Sequence, residues 1–452
     1  MRPLAAIDIE ALAAEYDVPG AAVGLLADDQ ISDRAVGVLS TATQVAATPD
    51  SLFQIGSITK LWTATVIMQL AEQEAVHLDD PVIRCLPDFT VGADREQSDA
   101  ITIRHLLTHT SGISDDYTPT TRGDDAVARY VADVLPGLAL EFRPGEDFMY
   151  SNAGYVVLGC VAESVSGRTY SEVLREQVAA PLDLRHWAPI PEEALLFRTA
   201  VGHVPAGPKG RAEPTATWSL SAAHAPAGSQ VAMTAAALLQ FAGAYLRGGR
   251  PLVSAPTADQ MWTPVPNLPE VGGAGGRLAI GGVIQQVRDT RIVAYDGATQ
   301  GQSASMRMIP EKNVAVVSMA NGGDMFAFHQ AVLSRLVAET TGIELPTPPM
   351  PPQHPEPADA AFVDGRYRGH DLQVDATVSD DGRVSIVTHP LTKELAVLLP
   401  TGEPAEYVRL SSRQLIGLTQ TFGVHPVIAL IGEPSSPATA IVHFGRTLTR
   451  IR

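Results

Sequence analysis

The sequence predicts an α+β fold. It has one antiparallel sheet closed by the two ends of a large first part, a helical lobe between those ends, and a small antiparallel β-barrel or sandwich after them. Three observations carry this expectation. Strand-like runs lie near both ends of the first 345 residues, with helical spacing in between. Seven of the twelve residues from Pro346 to Pro357 are proline. Beyond them the texture changes to short alternating runs separated by Gly, Pro or Asp turns. The expected units are residues 1–345, a linker over 346–358 and a β domain over 359–452.

The elements follow in order. Pro19–Leu26 and Arg34–Val38 flank the Asp28-Asp29 turn and read as a strand pair. After Ser57, residues Leu61, Ala64, Thr65, Met68 and Ala71 recur at helical spacing. A second helix is expected over Ser229–Tyr245, ended by Gly248-Gly249. Strands return at Gly282–Val287, Ile292–Tyr295, Ala304–Ile309 and Val314–Met319. The proline run favours extended polyproline II and cannot join a core. After it come Leu372–Val378, Arg383–Val387, Leu395–Leu399, Tyr407–Leu410, Val427–Ile431 and Ala440–Phe444, some six strands for a small barrel or sandwich.

Composition narrows the function classes. The chain has 452 residues, 45% apolar and 18% charged, as expected of a folded globular protein. With 32 basic against 50 acidic residues the net charge is −18, which repels nucleic acid and anionic membranes. No run approaches the roughly 18 apolar residues of a membrane span. The segment from Met1 to Asp8 has no basic patch, and Asp8 and Glu10 break any apolar run, so a cytoplasmic protein is expected. Cys85 and Cys160 cannot build a disulfide framework or a zinc cage. Gly272–Gly276 lacks a following helix and an acidic partner, so it reads as a flexible loop and no cofactor is called for. No Gly-x-Ser-x-Gly elbow occurs, which argues against an α/β-hydrolase.

Lysine is the informative residue. Only Lys60, Lys209, Lys312 and Lys393 occur, against 28 arginines. Lys209 and Lys312 sit beside turn residues, whereas Lys60 lies in the apolar helix pattern three residues after Ser57. Residues i and i+3 share a helix face, so hydroxyl and amine can meet. An amine can become a neutral base where a guanidinium cannot. Tyr150-Ser151-Asn152 places a phenol and an amide two residues apart on an extended loop, one able to relay a proton and the other to hold a carbonyl.

Three segments then occur in order: Gly56-Ser57-Ile58-Thr59-Lys60, His105-Leu106-Leu107-Thr108-His109-Thr110-Ser111-Gly112, and Pro144-Gly145 with Tyr150-Ser151-Asn152-Ala153-Gly154-Tyr155. Together they resemble the serine β-lactamase and penicillin-binding-protein superfamily, on its class C and esterase side, over most of residues 15–340. The resemblance implies a β-lactamase/transpeptidase-like catalytic domain followed by a lipocalin-like barrel. It makes Ser57 the acyl nucleophile, Lys60 its base, Tyr150 the proton shuttle and Asn152 the group that positions the amine and the substrate amide. The Ser57 N–H would form half an oxyanion hole.

The family's third motif, Lys or His then any residue then Gly, is matched by Tyr295-Asp296-Gly297, with Ala298 giving the second oxyanion N–H. A neutral phenol at 295 disfavours electrostatic capture of a substrate carboxylate. Arg307 could replace that cation or face water. His443-Phe444-Gly445 fits the motif literally but lies far along the chain, and is set aside as a decoy. His105 and His109 are expected to structure a helix–loop junction, with no third ligand cluster to make them a metal pair.

The architecture is similar to penicillin-binding-protein-type thioesterases and transacylases of natural-product assembly. That likeness implies an acyl or peptidyl substrate, free or carried by a carrier protein, released onto an amine. A hydrolase of the same fold (carboxylesterase, D-aminopeptidase or β-lactamase-like amidase) and a non-catalytic ligand-binding relative are the other readings.

Overall fold

The first hairpin joins β1 (Gly20–Ala27) to β2 (Gln30–Gly37) through Asp28 and Asp29, both at positive φ. Short polar side chains tolerate that region at a tight turn. In the computed structural model, which describes all residues except 1, 115–122, 206–211, 267–275, 392–395, 397–401, 422–423 and 452, this hairpin is one end of a seven-stranded antiparallel sheet. The other strands are β8 (Arg277–Ala279), β9 (Gly282–Val287), β10 (Thr290–Ala298), β11 (Ser303–Ile309) and β12 (Val314–Ala320). Their order is β2-β1-β12-β11-β10-β9-β8, so β1 pairs with β12, Ala21 opposite Ala320. The two ends of the large part therefore close one sheet, as the sequence implies.

Side-chain alternation gives the sheet two apolar faces. One packs on the helical lobe, where Trp62, Phe241, Val293, Met306 and Val317 share a core. The other is covered by the helices Ile9–Glu15 and Met325–Thr341, with Leu12, Ile292, Val316 and Phe328 buried between. Within the lobe, the helix Thr59–Glu72 is buried from Thr59 through Leu70, and Trp62 stacks on Phe241 at 4.9 Å. A helix apolar all round belongs inside a domain. Three short strands, β3 (Phe53–Gln54), β4 (Trp187–Ala188) and β7 (Ala232–Met233), form a patch in the order β3-β7-β4. β5 (His203–Pro205) and β6 (Ala212–Pro214) pair beside it.

Residues 344–359 form neither helix nor strand. A closed eight-stranded antiparallel barrel follows: β13 (Gly365–Arg368), β14 (Leu372–Val378), β15 (Val384–Pro390), β16 (Pro404–Ser411), β17 (Gln414–Gly417), β18 (Val427–Ile431), β19 (Ala440–His443) and β20 (Arg446–Ile451). Tyr367, Leu372, Val374, Ile386, Ile428 and Leu448 belong to its separate core. Closure removes the unpaired edges that six strands would leave.

Several sequence expectations differ in detail. The helix expected from Ser229 begins only at Ala235, because Thr234 caps it through the Ala237 N–H (3.1 Å). β13, β17 and β20 carry too few alternating apolar positions to be read in advance. The expected turn lysine Lys209, the glycine run at 272–276 up to residue 275, and most of the strand expected over 395–399 lie outside the described residues. No described helix is long and apolar enough to cross a membrane.

Among the almost wholly buried histidines, three carry large shifts: His109 at 3% exposure, His329 at 6% and His443 at 1%. Burial pushes their pKa values down from 6.5, to about 3, about 4 and about 3 respectively. Unfolding restores the ordinary value, so below about pH 6.5 the unfolded chain takes up protons that the folded chain refuses. Their stabilising contribution is thus complete above about pH 6.5 and is lost as pH falls toward the folded values. Thermal melts should show Tm falling over that window, and His443→Phe should flatten the slope.

Candidate active site

Ser57 follows β3 on a single 3-10 turn, Gly56–Ile58, which runs straight into the helix Thr59–Glu72. One turn on, Lys60 is fully buried, so its amine has to find partners inside the lobe. Lys60 Nζ donates to Ser57 Oγ (3.1 Å), Asn152 Oδ1 (2.7 Å) and the Ala227 carbonyl (2.6 Å). Tyr150 Oη donates to Ser57 Oγ at 2.8 Å, and the Lys60 amine stands 4.7 Å from the centre of the Tyr150 ring. Four side chains from two stretches, 57–60 and 150–152, thus meet with one backbone carbonyl from a third.

Local sequence explains the placement. Ser151 caps the helix Asn152–Ser166 by accepting from the Gly154 N–H at 3.0 Å, so Asn152 is the first residue of that helix and not part of an extended loop. Tyr150 precedes the cap and is stacked on His109 (centroids 4.6 Å apart, 26° between planes). The His109 ring accepts the Ser151 N–H on Nδ1 (3.0 Å), and its carbonyl accepts the Met149 N–H (2.9 Å). Burial, with the nearby Lys60 charge, holds His109 neutral, its pKa down at about 3, which keeps Nδ1 an acceptor. His105 caps its own helix by accepting the Thr102 N–H on Nδ1 (3.2 Å). Both histidines are structural, as expected of a helix–loop junction.

β10 passes beside the serine. Gly297 has no room for a side chain: a Cβ there would fall 2.1 Å from the Ile55 carbonyl and 2.7 Å from the Ser57 nitrogen. Gly56, at φ +52°, faces the same constraint, 2.4 Å from the Ala298 nitrogen. These two glycines let two backbones touch. The Thr299 N–H donates to the Gln302 carbonyl (2.9 Å), and β10 pairs Ala298 with Ser303. Hydrogen-bonded and non-bonded pairs alternate along an antiparallel ladder, so the Ala298 N–H points away from β11. The Ser57 N–H, at the start of a helical turn, also has no intrahelical acceptor.

Tyr295 lies on the same face as Gly297 and packs against the lobe core. Burial and the neighbouring Tyr155 and Tyr150 phenols raise its pKa well above 10, so it is a neutral phenol. Arg307 neither replaces a cation there nor faces water. It is on the opposite face of the sheet, 13% exposed, with Nη1 and Nη2 donating to the two carboxylate oxygens of Asp296 (2.6 and 3.2 Å). Burial alone would raise the Asp296 pKa, but Arg307 and Ser305 outweigh it and hold the carboxylate below its ordinary range.

Three backbone groups were not legible in advance. The Ala227 carbonyl on Lys60 comes from the turn ending at Gly228, whose φ of +117° and close approach to Gly56 (2.2 Å from a Cβ to its oxygen) exclude a side chain. The Ala-Pro-Ala-Gly run at 225–228 is the one turn signal that could have flagged it. The Pro226 carbonyl accepts from Thr63 Oγ1 at 2.7 Å. The third group comes from the barrel. The β19–β20 turn lies against the Tyr150 loop, and the Gly445 carbonyl accepts the Tyr150 N–H at 3.0 Å. Thr447 Oγ1 donates to the Phe148 carbonyl, and the His370 N–H donates to Glu141 Oε1 at 2.8 Å. The literal His443-Phe444-Gly445 motif therefore reaches the site through its backbone, while the His443 side chain stays buried in the barrel against Phe444 (4.0 Å).

With this geometry in view, comparison with known proteins is decisive at the family level. The Beta-lactamase family profile matches residues 7–339. The chain belongs to the beta-lactamase family. Penicillin-binding protein 4 of Amycolatopsis lactamdurans is 35% identical over 367 residues, 79% of this chain and 95% of its own length. Among solved structures, SurE superposes with a TM-score of 0.76 at 25% identity, covering 98% of this chain and 97% of its own. The octameric penicillin-binding protein homologue from Pyrococcus abyssi shares the fold, with a TM-score of 0.64 at 22% identity, over 98% of this chain and 100% of its own. The beta-lactamase match covers the lobe and sheet, whereas the SurE likeness extends through the barrel.

The contact between barrel and Tyr150 loop has a measurable cost of removal. Thr447→Val leaves the Phe148 carbonyl buried without its donor. It should lower the free energy of unfolding by about 1–3 kcal/mol in urea titration.

Proposed function

We propose that this protein is a serine acyl-transfer enzyme that takes an activated acyl or peptidyl thioester, ester or amide onto Ser57 and passes it to an amine, in the manner of a peptide-cyclising or amide-forming thioesterase of natural-product assembly. The observation that carries the proposal is the enclosed Lys60 amine. A neutral amine has two hydrogens and one lone pair. Once the amine gives up the proton it donates to Ser57 Oγ, Asn152 Oδ1 and the Ala227 carbonyl still accept its two hydrogens, and the lone pair so freed faces the Ser57 hydroxyl.

Lys60 removes the hydroxyl proton as Ser57 Oγ attacks the acyl carbon. The oxyanion forms against the N–H groups of Ser57 and Ala298, each such donor worth roughly 3 kcal/mol in the transition state. As the carbon–sulfur, carbon–oxygen or carbon–nitrogen bond breaks, Tyr150 passes a proton to the leaving group, its hydroxyl already 2.8 Å from Ser57 Oγ. An amine then attacks the ester on Ser57, its proton returning through the same pair, and the amide leaves.

The donor is a small-molecule or peptidyl acyl group, free or held by a carrier protein, met in the cytoplasm. The likeness to SurE through both lobe and barrel, and the fact that SurE has been solved with D-Leu, support an amino-acid-derived substrate. The second reading is a hydrolase in which water resolves the acyl-enzyme. The fold shared with the D-amino acid amidase of Ochrobactrum anthropi is compatible with it.

Ser57→Ala is expected to abolish turnover with the fold retained by circular dichroism. Lys60→Arg should lose about 10³-fold in kcat despite keeping the charge, because the base is gone. Tyr295→Phe should keep most of the rate, since its phenol is neutral and the residue packs, partly buried, against the lobe core. Mass spectrometry of the products from an activated peptidyl thioester mimic decides between the readings. Cyclic or amine-coupled product is expected; linear acid alone would replace the transferase with the hydrolase.

A further inference from the structure

Two backbone N–H groups can act as one oxyanion hole only if their separation is fixed, and here they belong to segments more than two hundred residues apart. Ser57 follows β3, and Ala298 ends β10. Around them lies a set of neutral polar side chains that the acid–base machinery does not use. Gln54 and Gln302 are both fully buried. The Gln54 N–H donates to Gln302 Oε1 at 3.1 Å, across the gap between β3 and the β10–β11 turn. Gln302 Nε2 donates to the Ala200 carbonyl at 3.2 Å. Thr299 Oγ1 donates to Gln54 Oε1 at 2.5 Å, and Gln54 Nε2 donates to the Trp218 carbonyl at 2.9 Å. The Trp218 indole N–H in turn donates to the Ala200 carbonyl at 2.8 Å, which closes the circuit.

We infer that Gln54, Thr299 and Gln302 are positioning residues that set the spacing of the Ser57 and Ala298 N–H groups, and so the strength of the oxyanion hole. This rests on the acyl-transfer reading of Ser57. Two of these bonds join Gln54 to the β10–β11 turn, and the others tie Gln54 and Gln302 to Trp218 and Ala200 and those two to each other. Thr299 follows Ala298 directly, and Gln54 lies three residues before Ser57, so a slip at either end is carried to an oxyanion donor within one turn of chain. The glycines at 56 and 297 permit the approach, but bare backbone contact does not resist sliding. The glutamine brace does, because each amide uses both its donor and its acceptor, and either one left buried without a partner is costly. Such donors act on the transition state far more than on the bound ground state, so loosening the brace should lower kcat and leave KM nearly unchanged.

The test compares Thr299→Val, which swaps a half-buried hydroxyl for a methyl, with Gln302→Met, of similar length without polar atoms, and Thr299→Ser, which keeps the hydroxyl. Three quantities are read on the full chain: kcat and KM for a p-nitrophenyl ester, the inhibition constant of an alkylboronic acid, whose tetrahedral adduct fills the oxyanion site, and phosphonate labelling of Ser57. Thr299→Val and Gln302→Met should lose about 10- to 100-fold in kcat and a parallel factor in boronate affinity, with KM within about twofold and Thr299→Ser close to wild type. A purely structural role would lower Tm and leave kcat per labelled site and boronate affinity intact. That result in Thr299→Val, the milder variant, overturns the inference even if Gln302→Met fails to fold. Wild-type protein that takes up no phosphonate at Ser57 would overturn the acyl-transfer reading and the inference with it. Labelled wild type with unaffected variants overturns the inference alone.

Discussion

The rest of the site depends on one enclosed amine. Lys60 sits in a helix whose first three turns are buried on every side, so its nitrogen is held by three oxygens instead of water. Each partner comes from a different element: a side chain one helical turn back, an amide that starts a second helix, and a carbonyl from the turn that ends at Gly228. A buried amine left without partners would cost several kcal/mol. The packing of the helices Thr59–Glu72 and Asn152–Ser166 against the Ala222–Ala227 turn is therefore tied to the placement of the reactive hydroxyl. Stability and chemistry draw on the same contacts.

Much of this was legible in the sequence because it is local or motif-borne. Ser57 and Lys60 are close because a helix brings i and i+3 together. The hairpin at Asp28-Asp29, the late strands and the proline run each leave a compositional mark. The barrel was readable as a set of short strands, but not as eight. β13 and β17 have four residues each, too short to display an alternation, and two of the four β13 positions are arginines. What stayed hidden is of two kinds. Backbone acceptors such as the carbonyls of Ala227 and Gly445 have no side-chain signature and depend on contacts between distant segments. Neutral amides such as Gln54 and Gln302 look like surface residues until burial shows that both ends are in use.

Arg307 and the literal motif at His443 show why residue type alone misleads. The strand register puts Arg307 on the face opposite Tyr295, where Asp296 binds it, so its charge is spent away from the serine. The His443 ring is enclosed in a barrel core, yet the glycine two residues later touches the loop that carries Tyr150. A match to a pattern located the right turn for the wrong chemical reason. The barrel is thereby a structural neighbour of the site, held to it by hydrogen bonds on both sides of the Tyr150 stretch.

The closure of the main sheet by its two distant segments has a kinetic corollary. Pairing β1 with β12 closes a loop of nearly three hundred residues, with Ala21 coming to rest opposite Ala320. Non-local strand pairing of this kind is slow, because loop entropy is lost before any contact compensates for it. The lobe, rich in short-range helical contacts, can collapse first and wait for the sheet to zip shut. During that interval the apolar face of the unpaired hairpin is open to other chains. Chaperone demand and expression temperature should therefore govern how much of this protein reaches its finished form.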